Sequence, residues 1–82
     1  MGEYVGNYTR YYNIIGENIA YYRKKKHLTQ EGLALKANIS RVHISHIEAK
    51  NVHKAPSLDI LFRLCDILDI EPYQLFKERE DM

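Results

Sequence analysis

The 82-residue sequence contains one cysteine, Cys65, so it excludes an internal disulfide and is typical of proteins from a reducing compartment. No apolar run approaches the roughly 18 residues that a membrane-spanning helix needs. The N-terminus also lacks the basic and then apolar order of a signal peptide. Together these absences predict a cytoplasmic protein that does not contact a membrane.

Motifs for chemistry are also missing from the sequence. It has no glycine-rich phosphate loop and no nucleophile with a base at a matching spacing. His43 and His46 lie three residues apart and could share a metal ion, but no third or fourth ligand follows at a fixed spacing. We therefore predict no enzymatic activity and no metal, cofactor or small-molecule site.

The charge of the sequence is small in total but unevenly distributed. The net charge is +1, whereas residues 21–54 carry +6, residues 55–82 carry −4 and residues 1–20 carry −1. Basic side chains concentrated on one segment are the electrostatic pattern of phosphate binding. The alternative is a basic surface that only faces solvent. The three lysines from Lys24 to Lys26 are predicted to extend toward a bound nucleic acid.

Apolar residues at helical spacing, with capping residues before them, predict an all-α fold of five helices in one domain at 13–77. Residues 1–12 lack helical periodicity and are predicted to form an arm or a short appended turn. Residues 78–82, whose net charge is negative, are predicted to form a frayed acidic tail. The predicted helices lie at about 13–26, 30–37, 41–49, 57–68 and 72–77.

Residues 29–48 are predicted to form two short helices joined by a tight turn. Thr29 and Ser40 are suited to cap the two helices, because their hydroxyl oxygens accept from free N–H groups of the first turn. Asn38 tolerates the left-handed conformation that such a turn requires. A short polar helix held outward by an apolar stripe is the form of a recognition helix in the major groove of DNA. The inward positions are Leu33, Ala34 and Ala37, then Ile44 and Ile47.

This stretch resembles the helix-turn-helix of the lambda/434 repressor and Cro-like (XRE) family. The resemblance extends over roughly three quarters of the chain. It implies a lambda-repressor-like domain that binds double-stranded DNA sequence-specifically, as a transcriptional regulator of bacteria, phages or mobile elements. The residues that carry it are Ile15-Gly16, Arg23, Leu28-Thr29-Gln30, Leu33-Ala34, Ile39-Ser40, Ile44, Ile47-Glu48, Pro56-Ser57-Leu58 and Leu75-Phe76.

Roles at DNA follow partly from the resemblance and partly from side-chain chemistry. The resemblance implies that Gln30 binds a phosphate and that Arg23 pairs with Glu48. Arg41 is suited to a bidentate contact with guanine and Val42 to the methyl group of thymine. The predicted base-reading residues are Arg41, Val42, Ser45 and His46, and the predicted phosphate-binding residues are Thr29, Gln30, Ser40, His43, Lys50, His53 and Lys54.

The fourth predicted helix is apolar on two faces. We assign one face to the core. The other needs a cover, which either the N-terminal tyrosines or a partner subunit would provide; with Tyr73 it is the predicted surface for a partner subunit. A homodimer on a pseudo-palindromic operator would raise specificity. The alternative is an antitoxin or co-regulator, a protein-interaction module in which DNA binding is secondary. The predicted core face is Leu58, Leu61, Phe62, Cys65 and Leu68, and the predicted dimer interface is Ile60, Leu64, Ile67 and Tyr73.

Overall fold

The computed structural model describes residues 6–51 and 55–79, and within these ranges it is all-helical, with no strand. The fifth predicted helix is a single 3₁₀ turn, in which Gln74 accepts at its Oε1 from the backbone N–H of Glu71 at 2.8 Å. The prediction of five α-helices is therefore not confirmed. The elements are α1 (Thr9–Lys25), α2 (Gln30–Ala37), α3 (Arg41–Glu48), α4 (Leu58–Leu68) and the 3₁₀ turn (Pro72–Leu75).

Helix α1 begins four residues earlier than the sequence predicts. Residues 9–12, assigned to an arm, form its first turn, and Asn7 accepts at its Oδ1 from the backbone N–H of Thr9 at 3.0 Å. Arg10 adds an ion pair with Glu78 at 2.7 Å. This contact with the C-terminal segment stabilises a turn that the local apolar pattern does not indicate.

Glu78 and Arg79, the first two residues of the predicted tail, make side-chain contacts with α1. Glu78 holds Arg10, and the guanidinium of Arg79 lies 3.7 Å from the centre of the Tyr21 ring. Such a cation–π contact, together with the ion pair, fixes this segment along α1. Residues 80–82 lie outside the described residues, as do residues 1–5 of the predicted arm.

One apolar core joins all five elements. The inward faces predicted for α2 and α3 are confirmed, because Leu33, Ala34, Ala37, Ile44 and Ile47 are all buried. Each element also contributes at least one side chain that solvent does not reach, and close packing of this kind makes single-methylene changes costly. The most deeply buried apolar side chains are Ile19, Leu33, Ile44, Leu64 and Leu75.

Helix α4 is rotated about its axis relative to the prediction. Leu58 and Phe62, assigned to the core, are 61% and 48% exposed. Leu64, assigned to the dimer interface, is fully buried instead, so it cannot contact a partner. Ile60 and Ile67 are half-buried and pack against the edge of the core. The observed core face of α4 is Leu61, Leu64, Cys65 and Leu68.

Three helices end with a residue in the left-handed conformation, and none of these residues is glycine. Asn38 ends α2 with φ 57°, as predicted, while His27 (φ 58°) follows α1 and Asp69 (φ 57°) ends α4. After α2, the backbone N–H of Ile39 donates to the carbonyl of Ala34 at 3.1 Å. This bond satisfies a carbonyl at the helix end and sets the direction of the next segment.

No helix among residues 6–51 and 55–79 has the length and apolar character required to cross a membrane.

Candidate nucleic-acid interface

Helices α2 and α3 each begin with the side-chain cap that the sequence predicts. The Oγ1 of Thr29 accepts from the backbone N–H of Gly32 at 2.9 Å, and the Oγ of Ser40 accepts from that of His43 at 3.0 Å. Both hydroxyl oxygens act as acceptors, so each O–H group keeps its proton for donation outward. The two helix N-termini therefore present hydroxyl and backbone donors together.

The outer face of α3 carries all four predicted base-reading side chains. Arg41, Val42 and His46 are exposed and Ser45 is half-buried. Residues four apart lie above one another on a helix, so Arg41 and Ser45 form one row and Val42 and His46 the next. The opposite face, with Ile44 fully buried, packs against the core. This short helix thus presents a polar strip with an apolar base.

The predicted phosphate-binding residues are only partly covered by the structure. His43 lies half-buried in the first turn of α3, and Lys50 is exposed just beyond its end. The connection is fixed near that point, because the backbone N–H of Asn51 donates to Oδ1 of Asn13 in α1 at 2.8 Å. His53 and Lys54 lie outside the described residues.

Arg23 and Glu48 form the ion pair that the resemblance implies. The Nε of Arg23 lies 2.7 Å from Oε2 of Glu48, and its Nη2 lies 2.9 Å from Oε1. The two side chains are only 10% and 6% exposed. Two parallel hydrogen bonds make this a bidentate pair, the strong form of an arginine–carboxylate contact. Because both side chains are buried, removal of either one would leave an uncompensated buried charge and destabilise the fold. It joins α1 to the last residue of α3.

Two further bonds, not predicted from the sequence, extend this pair into a network. The Nη1 of Arg23 donates to the carbonyl of Leu28 at 2.8 Å, and the Nε2 of Gln30 donates to Oε1 of Glu48 at 3.0 Å. Gln30 is therefore held in place rather than solvated. One Nε2 hydrogen and the amide oxygen of Gln30 remain available at the N-terminus of α2.

The charges around α3 are mainly positive. Arg41 and Lys50 are exposed, while the carboxylate of Glu48 is neutralised by its arginine partner. Glu31, in the first turn of α2, is the exposed acidic residue of the helix-turn-helix. The balance favours an anionic ligand over this surface.

The prediction for the lysines at the end of α1 is wrong in part. Lys26 forms an ion pair with Asp69 at the C-terminal end of α4, so its ammonium group is directed toward that carboxylate. The ammonium of Lys25 lies 5.5 Å from the centre of the Tyr21 ring, on α1 itself. Only Lys24 of the three has no such assigned contact among the described residues.

Two side chains that position the helices escaped prediction. Asn18 is fully buried, and its Nδ2 donates to the carbonyls of Leu75 at 2.9 Å and Lys77 at 2.8 Å. Arg63 of α4 donates from Nη1 to the carbonyl of Ala37 at 2.8 Å, which satisfies the end of α2. For Asn18 the only local signal is a single asparagine among apolar positions. No local signal indicates the contact made by Arg63.

Known proteins share this arrangement. The helix-turn-helix family HTH_3 matches residues 19–75. The HTH-type transcriptional regulator SlrR of Bacillus subtilis is 35% identical over 63 residues, which cover 77% of this chain and 41% of SlrR. This chain thus spans about two fifths of the length of that relative.

Two solved structures are similar at more than 30% identity. The restriction-modification controller protein C.AhdI from Aeromonas hydrophila has a TM-score of 0.70 and 31% identity, covering 79% of this chain and 96% of that one. SinR of Bacillus subtilis, crystallised in complex with DNA, has a TM-score of 0.70 and 33% identity, covering 77% of this chain and 98% of that one. The chain therefore belongs to the XRE-type helix-turn-helix family HTH_3 and is homologous to SlrR, SinR and C.AhdI.

Proposed function

We propose that this chain binds double-stranded DNA sequence-specifically as a transcriptional regulator of a bacterium, phage or mobile element, acting in the cytoplasm. The observation that carries the proposal is the exposed strip from Arg41 to His46, held outward by a buried apolar face. Lys50 lies exposed just beyond the end of this strip, and the network at Glu48 fixes its orientation. The DNA complex of SinR, a homologue, supports the same use of the fold.

In this proposal α3 enters the major groove with its first turn against the base edges. Arg41 donates two hydrogen bonds to a guanine, and Val42 contacts a thymine methyl group. Ser45 and His46 meet the next bases along the same strip. Thr29, the N-termini of α2 and α3 and the side chains around them contact DNA phosphates. These contacts fix the register of the protein on the duplex. The phosphate-binding set is Thr29, Gln30, Ser40, His43, Lys50, His53 and Lys54.

One helix of eight residues reads only a few base pairs, so we propose that the protein acts as a homodimer on a pseudo-palindromic operator. The two halves of such a site lie one helical turn apart, about 34–36 Å from centre to centre. The molecule measures 49 × 28 × 20 Å, so two copies side by side are compatible with that spacing. A dimer doubles the base contacts and so raises specificity.

Selection of bound sequences from a random DNA pool, followed by titration of the Arg41→Ala variant, tests the proposal. Affinity for the selected sequence should fall about 10- to 100-fold, because a bidentate base contact is lost. Affinity for random DNA should change little and should fall steeply with added salt. Arg10→Ala, which removes an exposed arginine of α1, is the control. Equal loss on both DNAs would contradict the base-reading role.

A second candidate function is a protein-interaction module of the antitoxin or co-regulator type. The observation that favours it is a set of exposed apolar side chains, which includes Leu58, Phe62 and Phe76. SinR has also been solved in complex with the protein SinI. Binding to random DNA separates the two functions, since a module without a DNA role should show no affinity that depends on salt.

A further inference from the structure

Two of the four histidines of the chain lie in α3, the helix proposed to enter the major groove. His46 is exposed on the outer strip, one turn beyond Val42, and His43 is half-buried in the first turn. Within residues 6–51 and 55–79, neither imidazole makes a hydrogen bond or an ion pair, and His43 bonds to Ser40 through its backbone N–H. Histidine is the side chain whose charge changes in the range from about pH 5 to pH 8.

We propose that binding of the selected DNA takes up a proton at His46, so that affinity rises as pH falls. This inference rests on the proposed function, because it assigns a charge state to one of the proposed base-reading residues. The phosphates on both sides of the major groove favour a cation over a neutral ring. The complex then binds more protons than the separate components do, and linkage requires affinity to increase toward lower pH.

The free protein offers His46 no carboxylate partner among its described residues. Glu48, two residues further on, already accepts from Arg23 and from Gln30. Helix α3 packs mainly against α1 and α2, and Arg23 is the charged side chain of those helices that bonds to it. The negative charge that favours the imidazolium is therefore supplied by the duplex.

The charged side chains near α3 are few enough to name. On α3 and just after it they are Arg41, Glu48 and Lys50, on α2 they are Glu31 and Lys36, and on α1 they are Arg10, Glu17, Arg23, Lys24 and Lys25.

The position of His46 within α3 also suits a cation better than that of His43. His46 lies in the last turn, where the helix carbonyls carry partial negative charge. His43 lies in the first turn, beside free N–H groups that oppose a cation, and it is half-buried close to Arg41. The proton is therefore assigned to His46.

The charge of His46 decides which base edge it matches. A neutral imidazole presents one donor and one acceptor, whereas an imidazolium presents two donors and no acceptor. The imidazolium cannot pair with the amino group of adenine or cytosine, but it still donates to N7 or O6 of guanine. Protonation therefore directs His46 toward guanine, and the base preferred at that position should change with pH.

Titration of the selected DNA at pH 8 and at pH 6, at one salt concentration, tests the inference in the wild type and in His46→Gln. Wild-type affinity should increase about 3- to 10-fold on going to pH 6, because uptake of one proton allows at most about tenfold per pH unit. His46→Gln, which keeps an amide donor but does not titrate, should show a much smaller increase. His27→Asn is the matched control, because it removes an exposed histidine outside α3 from a left-handed position that asparagine tolerates.

Selection from the random pool at the same two pH values gives a second measurement. The wild type should enrich guanine at one position of the bound sequence at pH 6 relative to pH 8. His46→Gln should select the same base there at both pH values.

Three results would overturn the inference. They are an equal pH dependence in the wild type and His46→Gln, a pH dependence that His43→Gln abolishes and His46→Gln retains, or a wild-type base preference that does not change with pH. A failure of the proposed function is distinguishable from these, because salt-dependent DNA binding would then be absent at both pH values. Salt-dependent binding with equal pH dependence in the two proteins contradicts the proton uptake alone.

Discussion

A Cβ atom on Gly16 would lie 2.4 Å from the carbonyl oxygen of Ile47, so the middle of α1 and the end of α3 approach almost to backbone contact. No side chain fits between them. The absence of one at residue 16 therefore sets the distance at which α3 sits on α1. The height of the outer strip of α3 above the core depends on this contact.

Gly16→Ala should destabilise the fold by about 1–3 kcal/mol, because the added methyl group forces two packed helices apart. The steric cost should exceed the roughly 1 kcal/mol by which alanine stabilises a helix relative to glycine, so the net change should be destabilising. Urea unfolding measures the change. Gly32→Ala is the control. Its Cβ would meet a side-chain atom, Oγ1 of Thr29, at 3.3 Å, so the smaller steric cost is offset by the helix preference of alanine and stability should change little. Equal midpoints for the two variants would contradict the steric argument.

Arg23→Met should destabilise the fold by about 3–5 kcal/mol, because it leaves the carboxylate of Glu48 buried without its cation. The double variant Arg23→Met/Glu48→Leu should recover much of this loss, since no charge is then left unpaired. Chemical denaturation of the two single variants and the double variant gives the coupling energy. Arg10→Met, which breaks an ion pair with side chains 68% and 63% exposed, should change stability by less than about 1 kcal/mol.

Asn18→Asp should destabilise the fold by about 3 kcal/mol or more. The change replaces an amide that donates to two carbonyls with a buried carboxylate that faces them. The 3₁₀ turn should loosen first, which hydrogen exchange at Phe76 would detect. Asn13→Asp is the matched control, because the Oδ1 of Asn13 accepts from Asn51 and a carboxylate accepts equally well. Similar losses in both variants would show that the donor role of Asn18 is unimportant.

Cys65 should make stability depend on pH in the alkaline range. Burial raises the pKa of its thiol above the usual 9.0, and the carboxylates of Asp66 and Glu71 add to the shift. The unfolded thiol therefore loses its proton at a lower pH than the folded one. This contribution is complete below about pH 9 and is lost as pH rises through the folded pKa.

Urea unfolding at pH 8 and pH 10 measures this dependence in the wild type and in Cys65→Ala. Other groups titrate in the same range, so the quantity of interest is the difference between the two proteins. The wild type should lose more stability than Cys65→Ala on going to pH 10. Parallel losses would show that the thiol ionises alike in the folded and unfolded states.

The helix-turn-helix was predictable because its signals are local. Thr29 and Ser40 cap helices through atoms three residues away, and Asn38 adopts the left-handed turn through its own backbone. None of these interactions depends on distant parts of the chain. The boundaries of α2 and the start of α3 therefore followed from the sequence directly.

The rotation of α4 was not predictable in this way. The helix has apolar residues around most of its circumference, so its helical pattern allows two orientations of the buried face. The predicted face is centred near Cys65, and the observed face is centred between Leu61 and Leu64. The two differ by roughly 45°, less than half of the 100° step between successive helical residues. Packing against α1, α2 and the 3₁₀ turn decides between them. The first turn of α1 likewise has a distant contact, the pair of Arg10 with Glu78, which are 68 residues apart.

The network at Glu48 has a consequence for the thermodynamics of complex formation. Arg23 and Gln30 both donate to this carboxylate, so the proposed phosphate-binding residue and the outer helix belong to one rigid body in the free protein. Their side-chain entropy is lost during folding and need not be lost again at the duplex. Association should then proceed as docking of preformed surfaces, with a heat-capacity change no larger than the contact area requires and a rate governed by electrostatic steering.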